Sequence, residues 1–568
     1  MILLLVTLLL MLALLSFWRL AKGKAEPRAE ALKSLPSLPI IWSLLQLARN
    51  PQPHLFFHKL QKKYGSIYSL RMGSQYTVVI NHHLHAKEML VKKGKIFAHR
   101  SRTVTTDLLS RNGKDIAFAS YSPVWKFQRK LVHSALPIYG KGLLALEKII
   151  CQEATSLCEM LQASQDCPLD MGLELTRAIT NVVCLLCFSS SYRRGDPEFE
   201  VMLQYFQVIV DTVGHWSWVD MFPWLKVFPI KSLVSLKRSL QVRDQLLQKK
   251  LQQHKQEVLG SDSGNDLMTT LLRAQLSLKN NNSQLGQPQE LTDDHLLMIM
   301  GDIFGAGVET SANMLKWLVL YLLYHPEVQR KIQEELDQKI GFERHPQVSD
   351  RKQLPYLDAT ICEVLRIQPV SPLLIPHMTI TDTSIGQYTI PKGTQVVVNL
   401  WALHHDEKEW DKPEEFNPGR FLDEQGNRIP SPSQSYLPFG AGLRVCMGKT
   451  LAEMEIFLFL AWILQRFTLE LPAGQPLPPL EGKFSVVLQT QPFKVQAKLR
   501  KSWENNLARS DRKTEGPVLL TPATGWGPAT LYASPRQGEL LRSKGKHGQV
   551  KCRDRHSHWS LQEKMFMS

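Results

Sequence analysis

One cysteine stands in the run Phe439-Gly440-Ala441-Gly442-Leu443-Arg444-Val445-Cys446-Met447-Gly448, framed by glycines and an arginine. Glycine adopts turns that are closed to residues with a Cβ, and it lets the backbone pass close to a flat ligand. The apolar stretch from Met447 to Leu464 predicts a helix, whose free N–H groups and partial positive charge favour a thiolate. The run therefore predicts that Cys446 is the axial ligand of a haem iron, because a thiolate there pushes electron density onto the iron and favours O–O cleavage.

The alternative interpretation of Cys446 is a structural cysteine, the usual fate of a buried thiol. Two motifs earlier in the chain argue against it. Glu363-Val364-Leu365-Arg366 places an acid and a base on one helix face, where both can join a charge-assisted network. Pro418-Gly419-Arg420-Phe421 offers Arg420 as a third member. In this order, together with the cysteine run, the motifs resemble the cytochrome P450 family, although the family usually has an acidic residue where Gly419 stands.

The resemblance covers Met1 to Trp503 and implies the cytochrome P450 fold, which is mainly α with small β-sheets. The periodicity agrees, because long helical stretches follow Lys141 and residues 68–80 alternate as a strand pair, with Gly73-Ser74 as the turn. The resemblance also implies haem b with Cys446 on its iron, O₂ as a reactant, and electrons from NADPH delivered by cytochrome P450 reductase.

The N-terminus predicts a membrane anchor. Residues 1–18 carry no charge and would form a helix about 27 Å long at 1.5 Å per residue. Four basic residues follow between Arg19 and Arg28, so the positive-inside rule places the bulk of the chain in the cytosol. A cleaved signal peptide is the alternative, but a basic segment before the apolar stretch is missing. With the family resemblance, we expect a single-pass anchor in the endoplasmic reticulum membrane.

The remainder divides into three predicted parts. Residues 19–39 form a basic hinge that contains prolines, residues 40–504 form the monooxygenase domain, and residues 505–568 form a disordered basic tail without a periodic apolar face. Inside the domain, residues 260–289 are rich in Ser, Asn, Gln and Gly and are predicted to be a surface loop. The net charge of +16 suits anionic lipid and acidic protein partners, and no nucleic-acid motif accompanies it.

The longest periodic helix is predicted from Thr292 to Tyr324, closed by Pro326. Glycines in its middle weaken it by about 1 kcal/mol each, which indicates close approach of a ligand. By the resemblance, Thr310 helps hold dioxygen, while Glu309 and Asp302 feed protons to it. These three are the predicted catalytic residues. The alternative is an amphipathic helix whose glycines serve packing.

Haem propionates need cationic partners, and arginine suits them. The stretch Trp125-Lys126-Phe127-Gln128-Arg129 resembles the family's WxxxR motif. The resemblance implies that the cofactor is contacted by Arg100, Trp125, Arg129, His377, Phe439 and Arg444, besides Cys446. Taken alone, His377 is typical of a structural histidine.

Longer matches, such as Phe304 to Thr310 and Ser435 to Gly442, resemble the steroid-hydroxylating branch of the family. They imply oxygen insertion at carbon 17 of progesterone or pregnenolone. The implied substrate pocket consists of Ser110, Ala117, Phe118, Phe206, Ile209, Val210, Arg243, Ala306, Val370, Ile375, Val486 and Val487, with Asp302 beside them. Phe206 replaces an asparagine that in the family bonds the steroid's 3-oxygen, so the substrate preference stays open. The alternatives are hydroxylation at carbon 21 and, in a different class, a haem-thiolate binding protein without turnover.

The resemblance also implies a second partner, cytochrome b5, an acidic protein that stimulates cleavage of the 17,20 bond. Lys92, Lys93 and Arg351 match the basic residues on which it docks, but Cys362 and Glu453 stand where other members carry arginines. Charges at the rim of an interface govern docking rate and register. We therefore expect weak 17,20-cleavage.

Overall fold

A computed structural model describes residues 49–505 except 74, 137–140, 166, 215–216, 261–265 and 282–290, together with residues 11, 32–36, 43 and 46–47. The chain divides into two compact units, residues 1–500 and 501–568. The second unit is described only at residues 501–505, which are helical. The predicted anchor, most of the hinge and the tail beyond residue 505 lie outside the described residues.

The first unit is mainly helical, as predicted. Its α-helices in chain order are α1 (Pro53–Tyr64), α2 (His83–Lys87), α3 (Gly94–Phe97), α4 (Val104–Leu109), α5 (Pro123–Ala135), α6 (Lys141–Ala163), α7 (Met171–Phe188), α8 (Pro197–Gly214), α9 (Trp218–Met221), α10 (Lys231–Gly260), α11 (Leu267–Asn281), α12 (Asp293–Tyr324), α13 (Pro326–Lys339), α14 (Pro355–Ile367), α15 (Leu400–His404) and α16 (Lys449–Arg466).

The strands are short and lie in small sheets. They are β1 (Ile67–Met72), β2 (Gln75–Ile80), β3 (His377–Met378), β4 (Thr383–Ile385), β5 (Tyr388–Ile390), β6 (Gln395–Val398), β7 (Phe467–Glu470), β8 (Lys483–Phe484), β9 (Leu488–Gln489) and β10 (Gln496–Leu499). One sheet has the order β1-β2-β6-β3, and the pairs β10-β7, β4-β5 and β8-β9 form two-stranded sheets. The predicted strand pair is confirmed: β1 and β2 are antiparallel, with Ile67 opposite Ile80.

The helix α12 confirms the predicted central helix almost to the residue. The N–H of Thr292 donates to Nδ1 of His295 at 3.1 Å, and two aspartates occupy the first turn, where negative charge stabilises a helix. The helix ends at Tyr324 because Pro326 opens α13 and cannot continue the hydrogen-bond ladder. Most of its apolar side chains are buried, among them Trp317 and Leu318, so α12 lies inside the core.

The predicted surface loop at residues 260–289 is wrong in its middle. Residues 267–281 form α11, and Leu267, Met268, Leu271 and Leu272 are buried. These four lie on one helical face, so their packing outweighs the polar composition of the segment. Residues 261–265 and 282–290 lie outside the described residues.

Within the described part of the chain, one helix is apolar and long enough to cross a membrane by length and composition, namely α7. Its apolar window is 72% buried inside the protein, and Leu175, Ile179 and Val183 are fully buried. The helix α7 is therefore a core helix.

Candidate functional site

A cavity of about 830 Å³ opens next to Cys446. Its wall consists of α8, α10, α12 and the start of α16, together with loop segments at residues 115–118, 369–377 and 485–487. Most of the lining side chains are apolar, which suits a flat apolar ligand whose ends are fixed by a few polar groups.

Cys446 lies on the cavity wall with an exposed side chain. Its N–H donates to the carbonyl oxygen of Phe439 at 3.0 Å, which closes the glycine run into a loop. Gly442 has a φ of +71°, and a Cβ there would lie 1.8 Å from the carbonyl oxygen of Leu90, so only glycine fits. The following helix, α16, begins at Lys449 rather than at Met447 as predicted, so the cysteine precedes its first turn.

Burial raises the pKa of the Cys446 thiol, while the N–H of Gly448 and the guanidinium of Arg129 act in the opposite direction. Coordination of a metal ion by the sulfur would favour the thiolate over the thiol, because a thiol that coordinates a metal is deprotonated. A thiol whose side chain is accessible from a cavity lined mostly by apolar side chains therefore fits an iron ligand.

Among the arginines that line the same cavity, we call Arg100, Arg129 and Arg444 the cationic cluster. They donate to backbone carbonyls: Ala117, Ile375 and Pro376 accept from Arg100, Val445 from Arg129, and Ala98, Ile116 and Ala119 from Arg444. Burial lowers the pKa of Arg444 to about 10 and that of Arg100 well below its ordinary value, and neighbouring arginines add to both shifts. Such a concentration of positive charge favours the binding of anions, and the propionate groups of haem are anions of a suitable kind.

Three more residues that were predicted to contact the cofactor lie at or next to the cavity. Phe439 and His377 line the cavity, and Nδ1 of His377 lies 2.9 Å from the carbonyl oxygen of Phe97. Trp125 does not line it: the indole is buried, donates to the carbonyl oxygen of Ile116 at 2.9 Å and lies 4.1 Å below the guanidinium of Arg444. Trp125 therefore supports the cationic cluster from behind.

Ser110 is the other predicted residue away from the cavity wall. It follows the last turn of α4, and its hydroxyl donates to the carbonyl oxygen of Thr106 at 2.6 Å and accepts from the N–H of Gly113 at 2.9 Å. These bonds turn it toward its own helix. The predicted substrate residues that line the cavity are Ala117, Phe118, Phe206, Ile209, Val210, Arg243, Ala306, Val370, Ile375, Val486 and Val487.

The three predicted catalytic residues all line the cavity but do not converge on one point. The hydroxyl of Thr310 donates to the carbonyl oxygen of Ala306 at 2.7 Å, which leaves its lone pairs available. Glu309 is buried and accepts from the side-chain amides of Asn313 at 2.6 Å and Gln489 at 2.7 Å. The carboxyl group of Asp302 accepts from backbone N–H groups near residue 116 instead.

The departure at Phe206 has a clear structural consequence. Its ring packs edge-on against Phe304, with centroids 6.0 Å apart, and lies 3.4 Å from the position that a Cβ on Gly305 would take. Arg243 on α10 is buried, and its guanidinium donates to the carboxylate of Asp244 and to the carbonyl oxygen of Leu109. The cavity wall contributed by α8 is thus apolar where the family has an amide.

The predicted charge network is present. Arg366 donates twice to Glu363, at 2.8 and 2.9 Å, and both side chains are fully buried. Arg420 reaches the same carboxylate at 3.3 Å. None of the three lines the cavity, so the network acts on the fold rather than on a ligand.

Sequence reasoning missed two buried acids that line the cavity. Asp115 lies beside the cationic cluster, and burial raises its pKa to about 6. Glu455 on α16 accepts from the hydroxyl of Ser311 at 2.6 Å, and burial raises its pKa to about 8. A glutamate inside the apolar stretch after Cys446 was the available signal for Glu455. The residues described by the structure contain no further cluster of His, Cys, Asp and Glu suited to a metal.

Comparison with known proteins shows which family the chain is similar to. The family model described as Cytochrome P450 matches residues 32–497. The chain is 66% identical over 507 residues to a Gallus gallus protein named steroid 17-alpha-hydroxylase/17,20 lyase, covering 89% of the chain and 99% of that relative. A protein of the same name from Ictalurus punctatus is 62% identical, with 85% and 93% covered.

A solved zebra fish cytochrome P450, described as a structure with progesterone, has a TM-score of 0.69 and 45% sequence identity. The match covers 78% of this chain and 99% of that one. A second zebra fish structure, described as one with abiraterone, has the same TM-score and 44% identity, with 80% and 100% covered.

Proposed function

The chain belongs to the cytochrome P450 family, and on that premise we propose that it hydroxylates progesterone and pregnenolone at carbon 17. The observation that carries the proposal is the exposed Cys446 on an apolar cavity of about 830 Å³, in a chain 66% identical to a relative named for this activity. A carbon-21 hydroxylase is less well supported, because relatives between 48% and 66% identical to this chain carry the 17-alpha-hydroxylase name.

The residues on the cavity wall fit haem b. Cys446 would hold the iron as thiolate, and the cationic cluster with His377 would hold the propionates, supported by Trp125. When bound, the haem supplies the activation of O₂ and the transfer of one oxygen atom to the substrate. The electrons come from NADPH through cytochrome P450 reductase, and we expect the protein in the endoplasmic reticulum membrane.

The chain's own residues bind the steroid, exclude water and move protons. The apolar wall around Phe206, Ile209 and Val487 binds a flat hydrocarbon skeleton. Thr310 offers a hydroxyl whose proton is shared with the helix backbone, so it can accept and pass on a proton at Oγ1. Glu309 is the adjacent acid, held by Asn313 and Gln489 at the edge of the cavity.

Replacement of Thr310 by Ala is expected to preserve haem and steroid binding while electrons are diverted from product to peroxide. Positioned proton transfer contributes roughly 10²-fold or more, so the yield of product per NADPH should fall strongly. The ratio of product to peroxide at a fixed NADPH consumption measures this. Thr310→Ser, which keeps the hydroxyl, is the matched control. An unchanged ratio in Thr310→Ala would assign the proton route to other residues.

The direct test of the proposed function is reconstitution of the full chain with reductase, NADPH and either steroid. The proposal expects the 17-hydroxylated steroid as the main product of both. A product hydroxylated at carbon 21, or steroid binding without turnover, would support one of the two alternatives instead.

The 17,20-cleavage activity is proposed to be weak, because acidic side chains of the protein itself already pair with some of the basic residues on which cytochrome b5 would dock. Arg351 is paired with Asp358 at 2.7 Å and lies 3.6 Å from Glu453. Lys93 is paired with Glu88 at 2.7 Å. Cys362 is buried and contacts Arg428. An acidic partner such as cytochrome b5 must compete with these internal acids.

Replacement of Glu453 by Arg is therefore expected to raise stimulation of 17,20-cleavage by cytochrome b5, since it removes an acid from Arg351 and adds a cation. The measurement is conversion of the 17-hydroxylated steroid to the androgen, with and without cytochrome b5. Glu415→Arg is the control, because Glu415 forms an exposed pair with Lys412. Strong stimulation already in the wild type would contradict the proposal. Cys362→Arg is the less suitable variant, since the new charge would be buried beside Arg428.

A further inference from the structure

Residues 115–119 form a cavity wall without helix or strand, and we call them the wall segment. Buried backbone groups outside regular structure need other partners, because a buried N–H without an acceptor is destabilising. In the wall segment side chains bind six of the backbone N–H and C=O groups. The N–H donors of Ile116, Ala117 and Phe118, and the carbonyl oxygens of Ile116, Ala117 and Ala119, all have side-chain partners.

The link between this segment and α12 is Asp302. One oxygen of its carboxyl group, Oδ2, accepts from the N–H of Ile116 at 2.7 Å and from the N–H of Ala117 at 3.0 Å. The carbonyl oxygens of the segment are bound by Arg100 and Arg444 of the cationic cluster and by Trp125. The N–H groups of the wall segment are thus bound by α12, and its carbonyl oxygens are bound by arginines that line the cavity.

The position of Asp302 separates it from Thr310. Eight residues along an α-helix correspond to about 12 Å at 1.5 Å per residue. Its bonded oxygen is directed to the wall segment, whose Ala117 and Phe118 line the cavity. The carboxyl group of Asp302 can therefore hold the wall segment in place, but it lies too far along the helix to deliver a proton directly to Thr310.

We propose that Asp302 is a positioning residue that holds the wall segment against α12 and thereby fixes the orientation of the bound steroid. The inference rests on the proposed function for the identity of the ligand. Burial raises the pKa of Asp302, and the nearby charge of Asp115 raises it further. Asparagine has the shape of a carboxyl group and retains an oxygen that accepts both N–H groups, but it cannot take up and release a proton as a carboxyl group does.

This difference gives a sharp test with Asp302→Asn and Asp302→Ala in the haem-loaded full chain. Hydrogen exchange of the amides of residues 115–119 is measured by mass spectrometry without steroid, and the distribution of oxidised products is measured with progesterone. Asp302→Ala should speed exchange of the amides in the wall segment by about tenfold or more, since two N–H groups lose their acceptor. It should also spread the products over additional carbons.

Asp302→Asn should retain both the slow exchange and the wild-type product distribution. Asp170→Ala is the control, because Asp170 Oδ1 likewise accepts a backbone N–H, from Leu173 at 3.1 Å, at the start of α7. It should leave the wall segment's exchange unchanged.

Two outcomes would overturn the proposal. One is Asp302→Asn that releases peroxide as Thr310→Ala does while its amides stay protected, which would make Asp302 a proton carrier. The other is Asp302→Ala with unchanged exchange and products. If the wild type binds but does not hydroxylate steroids while Asp302→Ala still loosens the segment, the positioning role stands and the proposed function fails. Where Asp302→Ala does not fold, Asp302→Asn still tests the proposal, because fast exchange or an altered product distribution in this variant would overturn it.

Discussion

Replacement of Cys446 by Ser is expected to abolish the haem-thiolate spectrum and all steroid oxygenation. A hydroxyl group is a far weaker electron donor to iron than a thiolate, and donation from the thiolate is what favours O–O cleavage. The loss should be complete rather than partial, because the other described thiol that lines the cavity, Cys184, is buried on α7, and burial raises its pKa, which disfavours a thiolate. The wall itself should remain, since serine keeps the N–H that donates to Phe439.

The measurement is the absorption spectrum of the reduced carbon monoxide complex, followed by product analysis with progesterone. Cys151→Ser is the matched control, because Cys151 lies on α6, is only partly buried and does not line the cavity. It should give a normal spectrum and normal turnover. Full activity in Cys446→Ser would overturn both the ligand assignment and the proposed chemistry. A folded Cys446→Ser protein without the thiolate spectrum would support them.

Sequence patterns predicted those features that depend on local spacing. The strand pair of residues 67–80 and the helix α12 have clear periodicity and clear ends, and both are present. Glu363 and Arg366 are three residues apart on one helix, so their pairing follows from helix geometry alone. The mainly helical class was predicted for the same reason, whereas the cytochrome P450 fold was implied by the family resemblance.

Contacts between distant parts of the chain could not be predicted in this way. Asp302 binds backbone groups 186 and 185 residues away, and no pattern in the sequence encodes that meeting. The packing of Trp125 below Arg444, which comes from a distant part of the chain, likewise has no signal in the sequence, and the contact of Trp125 with the cofactor stays a prediction. The helix α11 was missed because four buried apolar residues are diluted by polar neighbours.

Replacement of Arg366 by Ala is expected to have the second largest effect, on folding rather than on chemistry. Arg366 makes two bonds to Glu363 and donates to the carbonyl oxygen of His404 at 2.9 Å, all without exposure to water. Its removal leaves the Glu363 carboxylate buried with only Arg420 and a backbone N–H nearby. Breaking a buried pair by removing one partner costs about 3–5 kcal/mol.

The free energy of unfolding of a typical domain is about 5–15 kcal/mol, so a loss of this size removes a large fraction of the protein's stability. The midpoint of urea unfolding and the yield of haem-loaded protein measure the effect. Lys412→Ala is the control: Lys412 and Glu415 are also three residues apart and pair at 3.4 Å, but both are more than 60% exposed, and surface pairs contribute about 0–1 kcal/mol.

The double replacement Glu363→Leu with Arg366→Met separates the cost of an unpaired charge from the value of the pair. When both charges are removed, no buried ion lacks a partner, and replacement of a whole buried pair by apolar side chains is often neutral. The double variant should therefore be more stable than Arg366→Ala, although Arg420 then loses one acceptor. If the double variant is equally unstable, the network acts mainly through the backbone bonds of Arg366 to α15 and the segment around Glu415, rather than through its ion pair.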